Sequence, residues 1–312
     1  MLVDVLFLVG GGVGVWLGAE GMVRGAVKLA AYLGVPSLII GLTVVAFGTS
    51  APELVVSSIA AVRGHSAIVL GNVLGSNIIN VALVLGLSAL VAPIAVSTEV
   101  LRRDIPVVVV VTFAVVVMAF LGDQVGRIDA AILLCIFIGH AIYSYKLAVR
   151  EQQRRTTAPG WEQPKLEKMH IAFLIGGTII LAVGAEGMVR GAVGIAEAFG
   201  VSKRVIGLTI VAFGTSVPEL AASVVAAKQK ESDLAIGNIV GSNLYNMTLI
   251  LGTASMIAPT PSKFEWPATE VIFFVVTVLM LIPLIRLGWR LGRIDGVILL
   301  STYVLSLVFL FL

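Results

Sequence analysis

Slid against itself by 166 residues, this sequence superimposes residues 18–27 on 184–193 with identity at all ten positions. The same offset pairs residues 39–54 with 205–220 at 13 of 16 positions, Asn80 with Asn246, and Arg127-Ile128-Asp129 with Arg293-Ile294-Asp295. The register never slips, so one structural unit is written twice, over about 1–146 and 167–312. Any fold for this chain must accommodate two copies of one architecture.

Each copy consists of apolar runs near the roughly 20 residues that cross a bilayer. Hydrophobic residues make up 58% of the chain and charged ones 12%, against about 25% charged in soluble domains. Runs such as residues 105–121 do not alternate polar with apolar, which excludes a strand-built barrel. The chain reads as an all-α membrane protein with predicted helices over 3–31, 37–62, 68–92, 105–122 and 127–146, then 169–197, 203–228, 234–258, 268–287 and 294–312. Ten transmembrane helices, five per copy, put an odd number in each, so the second copy enters from the opposite side as an inverted repeat. Between the copies, residues 147–166 carry Arg150, Glu151, Arg154, Arg155, Pro159 and Pro164, and read as a short linker.

With that linker inside, 15 of the 21 Lys and Arg residues fall on the inner ends and loops, Lys203, Arg204 and Lys263 being among those outside. The linker is then cytoplasmic, both termini are external, and the chain lies in the cell membrane. The opening segment, with Asp4 and many glycines, lacks the basic start of a cleaved secretory leader, so none is expected. The single cysteine, Cys135, excludes an internal disulfide and lies in an apolar span.

Two carboxylates stand out, because Glu53 and Glu219 each sit mid-span after the same Gly-Thr-Ser-x-Pro. A charge there costs about 2.5–3.5 kcal/mol on insertion scales, and such residues serve a substrate or a proton. Pro52 and Pro218 donate no backbone hydrogen bond and crowd the carbonyls of Gly48 and Gly214. Ala51 and Val217, preceding proline, are pushed from helical angles, so helices 2 and 7 are expected to break there. Carbonyls near residues 46–49 and 212–215 then become free, beside the hydroxyls of Thr49, Ser50, Thr215 and Ser216.

In the third helix of each copy, Gly-Asn-x-x-Gly-Ser-Asn-x-x-Asn adds neutral oxygens, with Asn72, Ser76 and Asn80 four apart on one face and Asn238, Ser242 and Asn246 as their repeats. Two charges, many neutral oxygens and no inward His or Cys set suit hard cations such as Ca2+ and Na+. Two facing carboxylates without a counter-ion are costly in a low dielectric, and one Ca2+ or a few Na+ removes most of that cost. A carrier that crosses only when loaded is an obligatory exchanger.

These paired motifs, Gly-Thr-Ser-x-Pro-Glu and Gly-Asn-x-x-Gly-Ser-Asn-x-x-Asn, closely resemble the alpha-repeats of the cation/Ca2+ exchanger family, over essentially the whole chain. The resemblance implies ten helices in inverted halves and, in the prokaryotic Na+/Ca2+ branch, alternating-access exchange of typically three Na+ for one Ca2+. It further implies Glu53 and Glu219 as central Ca2+ ligands, helped by backbone oxygens of Thr49 and Thr215. Ser50, Ser76, Ser216, Ser242 and the carbonyls of Ala46 and Ala212 would line flanking Na+ sites, with Asn80 and Asn246 between them.

Departures within the family narrow the reading. Proton-coupled members carry an extra acidic residue after Gly-Asn, where this chain has Val73-Leu74 and Ile239-Val240. K+-dependent members tend to have Asp at the position of Asn246, and the large Ca2+-sensing insert of animal exchangers is missing. An H+/Ca2+ exchanger is the alternative. No cofactor and no nucleic-acid partner are expected, only transported Ca2+ and Na+ and the bilayer, with a single chain as the functional unit.

Other residues carry blander readings. Glu20 and Glu186 each precede an Arg by four residues, Arg24 and Arg190, the spacing of a helical ion pair. The glycines of residues 10–14 and 18–25 lack the strand and the Lys-Ser/Thr of a phosphate loop and read as helix packing. Ser50 or Ser216 as a hydrolase nucleophile lacks an adjacent base, so no enzyme is expected. A passive cation channel would be built from rings around an axis rather than antiparallel halves.

Overall fold

The computed structural model describes residues 1–121, 124–201, 210, 212–261 and 268–311. In chain order its helices are α1 (Leu2–Leu33), α2 (Ser37–Thr49), α3 (Ala51–Val62), α4 (Ile68–Val91), α5 (Val100–Phe120) and α6 (Arg127–Thr156). The second copy supplies α7 (Lys168–Ala198), α8 (Ala212–Thr215), α9 (Val217–Lys228), α10 (Ser232–Ile257), α11 (Ala268–Arg286) and α12 (Arg293–Phe311). Among the described residues seven helices are long and apolar enough to cross a membrane, or eight if α2 and α3, bent by 46°, form one span. The start of the span predicted over 203–228 lies outside the described residues, as do Lys203, Arg204 and Lys263.

Helix α6 runs on to Thr156, past the limit of 146 read from its apolar stretch. Residues 150–155 are Arg, Glu and Gln, which are good helix formers, and the Pro159-Gly160 pair follows only after the helix has ended. The chain is also not purely helical. β1 (Ile94–Ala95) pairs antiparallel with β4 (Arg290–Leu291), and β2 (Gln124–Val125) with β3 (Thr260–Pro261). Each pairing joins a segment of one copy to a segment of the other. The repeated Arg-Ile-Asp motif has a local cause: Asp129 accepts the Gly126 N–H at 2.9 Å and Asp295 the Gly292 N–H at 2.8 Å, capping α6 and α12.

The helices that carry Gly-Asn-x-x-Gly-Ser-Asn form the centre. The most apolar stretch of α10 is 94% buried and that of α4 72%, whereas those of α1 and α7 reach 22% and that of α6 11%. Lipid is as apolar as a protein core, so peripheral helices keep Leu2, Val110 and Phe120 on the outside without cost. Small residues allow the close approaches. A methyl built on Gly18 of α1 would lie 2.8 Å from the Gly177 carbonyl oxygen of α7, and one on Gly237 of α10 would lie 2.7 Å from the Leu38 carbonyl oxygen of α2.

Among the described residues, Glu20–Arg24 forms on the protein's exterior and the matched Glu186–Arg190 pair does not. Arg190 instead lies over the Phe7 ring of α1, 4.7 Å from its centroid. Packing of α7 along α1 offers that guanidinium an aromatic face in place of its own Glu186.

Candidate cation site

The break in each copy falls one residue earlier than the proline rule places it. Ser50 (φ −84°, ψ 4°) and Ser216 (φ −92°, ψ 4°) leave helical geometry, while Ala51 and Val217 are the first residues of α3 and α9. Proline is accommodated at the second helical position, where an N–H has no intrahelical partner anyway. Glu53 and Glu219 therefore sit in the first turn of a new helix, where outward-pointing N–H groups favour negative charge. The Ala46 carbonyl is not free, since it accepts the Ser50 N–H at 3.0 Å.

Both glutamates are buried, at 1% exposure for Glu53 and 0% for Glu219, which places them inside the protein and not toward lipid. Ser50 of one copy donates to Oε1 of Glu219 in the other at 3.0 Å, and Ser242 donates to the same oxygen at 3.5 Å. The Ser216 hydroxyl lies 3.4 Å from that of Ser76, and the Thr49 hydroxyl 3.5 Å from that of Ser242. Neither carboxylate joins an ion pair among the described residues.

Asn80 and Asn246 are buried inside π-helical turns, Ile79–Leu85 and Asn246–Ile250, which widen α4 and α10 at matched positions. Such turns recur at functional sites, and hydropathy does not reveal them. Both atoms of each amide, both oxygens of Glu53 and Oε2 of Glu219 have no hydrogen-bond partner among the described residues. Buried polar atoms are almost always partnered, so these bare oxygens suit a hard cation as ligand. Ala212 and Thr215 are the first and last residues of α8, and Thr215 Oγ1 lies 3.4 Å from Asn72 Oδ1.

A second layer was only partly readable beforehand. The amide of Asn72 donates to Ser57 Oγ (2.8 Å) and to the Glu53 carbonyl (3.1 Å), and that of Asn238 donates to Ser223 Oγ (3.0 Å). Ser57 and Ser223, each four residues after a glutamate and fully buried, complete the arrangement. Their repetition at the 166-residue offset was the available signal.

The family model described as sodium/calcium exchanger protein matches residues 3–146 and 169–312. The chain is 38% identical to a putative antiporter, CaxA, of Alkalimonas amylolytica, covering 97% of each chain. It is 32% identical to the sodium/calcium exchanger MaX1 of Methanosarcina acetivorans, covering 100% of this chain and 97% of that one. Among solved structures, the sodium-calcium exchanger NCX_Mj soaked with zero Na+ and Ca2+ superposes with a TM-score of 0.85 at 32% identity, over 99% of both chains. The same exchanger soaked with 10 mM Na+ and 10 mM Sr2+ superposes at 0.83, over 98% of both. With this fold, this burial of two repeated glutamates and these likenesses, the chain is a multi-pass membrane protein and belongs to the sodium/calcium exchanger protein family.

Proposed function

We propose that the protein is a secondary antiporter that exchanges Na+ for Ca2+ by alternating access. The observation that carries this reading is the burial of Glu53 and Glu219 among hydroxyls and amides of both copies, with no basic partner for either carboxylate among the described residues. One Ca2+ neutralises two carboxylates. Several Na+ do the same at separate positions, so the two cations compete for one charge. An unloaded site would cross with two bare charges in a low dielectric, which opposes uncoupled movement.

In this reading Glu53 and Glu219, with backbone oxygens of Thr49 and Thr215, hold Ca2+. Ser50, Ser76, Ser216, Ser242 and the carbonyls of Ala46 and Ala212 line flanking Na+ sites, and Asn80 and Asn246 lie between. The halves 1–146 and 167–312 are inverted five-helix repeats, making ten transmembrane helices, with 147–166 cytoplasmic and both termini outside. That relatives of 32% identity and full length are named sodium/calcium exchangers supports Na+ as the coupling ion.

The test is radioactive Ca2+ uptake into proteoliposomes loaded with Na+, K+ or choline. Uptake is expected only with internal Na+, and uptake driven by a pH step alone would replace Na+ coupling with proton coupling. Glu53→Gln and Glu219→Gln are expected to abolish uptake in protein that remains folded. Full transport in both variants would remove the assigned site.

A further inference from the structure

The Thr49 hydroxyl has one proton and three acceptors within reach: the Ala46 carbonyl at 3.3 Å, Ser242 Oγ at 3.5 Å and, shortest, Asn238 Oδ1 at 3.1 Å. All four residues are buried, so water does not decide between them. We propose that Asn238, a residue outside the ligand set above, is a positioning residue that draws this proton to itself. The Ala46 carbonyl, one of whose lone pairs holds the Ser50 N–H, then keeps its other lone pair for the flanking monovalent cation. The inference rests on the assignment of Ala46 and its neighbours to a Na+ site.

The orientation of the amide follows from its surroundings. In the first copy Asn72 faces the Glu53 backbone carbonyl at 3.1 Å, a pure acceptor, so the NH2 group must point there and Oδ1 must point toward Ser76 and Thr215. Asn238, its repeat, keeps the serine contact of that arrangement, its NH2 group donating to Ser223 Oγ at 3.0 Å and its oxygen turned to Thr49 of the other copy. The neighbouring hydroxyls are ordered in the same sense. Ser50 and Ser242 both direct their protons to Glu219 Oε1, leaving their remaining lone pairs for a cation. Without Asn238, the Thr49 proton falls back on the Ala46 carbonyl or on Ser242 Oγ, both of them oxygens of the proposed Na+ sites. A ligand oxygen then meets Na+ with one more positive hydrogen on it.

The role is asymmetric between the two ions. Ca2+ in the proposed site is held chiefly by the two carboxylates, whose charge Asn238 does not alter, whereas Na+ depends on neutral oxygens whose lone pairs must be aimed. Asn238→Leu, close in shape and without polar atoms, should therefore raise the Na+ concentration for half-maximal exchange by about 3- to 10-fold, the effect of one hydrogen bond, and leave that for Ca2+ nearly unchanged. Ser223→Ala, which only unpins the amide, should shift Na+ in the same direction by less.

The experiment measures both half-maximal concentrations in proteoliposomes for Asn238→Leu, Ser223→Ala, Thr49→Val and the double variant Asn238→Leu with Thr49→Val. Once the Thr49 hydroxyl is gone, Asn238→Leu should add nothing to the Na+ shift. Additive shifts, or parallel losses for Na+ and Ca2+, would overturn the proposal. If Asn238→Leu does not fold, Ser223→Ala alone and combined with Thr49→Val decides by the same criteria. Glu219→Gln in the same preparation separates the two levels: loss of transport there with no Na+ shift in the other variants refutes only the role of Asn238, and retained transport refutes the site itself.

Discussion

Ser50 and Glu219, separated by 169 positions, share a hydrogen bond of 3.0 Å that joins the helix break of one copy to the carboxylate of the other. Glu219 is therefore not served by its own copy alone. The site exists only where the copies meet, so a change in one break alters the charge environment in the other half.

That relationship makes Ser50→Ala informative. Loss of a hydrogen bond to a charged group costs about 1.5–3 kcal/mol, and Ser50 is also a proposed Na+ ligand. The half-maximal Na+ concentration should rise by about tenfold, equivalent to ~1.4 kcal/mol. Glu219, deprived of its shortest donor, should bind Ca2+ as well as before or better. Equal weakening of both ions, measured by uptake, would contradict the assignment.

Glu20→Gln should be nearly silent. Its partner Arg24 is largely exposed, and exposed pairs contribute about 0–1 kcal/mol. Transport rates should match the parent protein, and a loss as severe as that of Glu53→Gln would show that Glu20 has a role the pair does not explain.

Gly237→Ala should be costly. The added methyl would approach the Leu38 carbonyl oxygen to 2.7 Å at the contact of α10 with α2, and overpacking of this kind costs about 1–3 kcal/mol. Gly139→Ala, with nothing within 4 Å of the added carbon, serves as the control. Thermal unfolding in detergent should show a lowered midpoint for the first variant alone.

Cysteines at Ala95 and Arg290, in a Cys135→Ser background, should form a disulfide on mild oxidation. These residues face each other in the β1–β4 pairing, and directly opposed antiparallel positions bring Cβ atoms to about 4.5–5.5 Å. Faster, reduction-sensitive migration on a denaturing gel checks the pairing, and failure to crosslink would displace the segment after α4 from the turn before α12.

Most of the architecture was legible because its causes are local. Hydropathy marks a membrane helix within one span, and proline marks a break within one turn, so α1, α3, α7, α10 and α11 lie within a few residues of their predicted limits. The misses have local causes as well. Helix α6 outran its apolar stretch because its polar continuation is itself helix-forming, and each break moved to Ser50 or Ser216 because proline fits the second position of the helix that follows. The failure of the Glu186–Arg190 pair is different, since it depends on which ring of α1 lies against α7.

Sequence alone determined that this chain crosses a membrane repeatedly, that it is one unit written twice, and that Glu53 and Glu219 are equivalent, since composition, period and identity need no third dimension. Only the folded arrangement decided which hydroxyl serves which acceptor. Thr49 meets Asn238 across 189 positions and Ser50 meets Glu219 across 169. A hydrogen bond forms over about 3 Å, and no spacing along the chain specifies the helix packing that brings such atoms together.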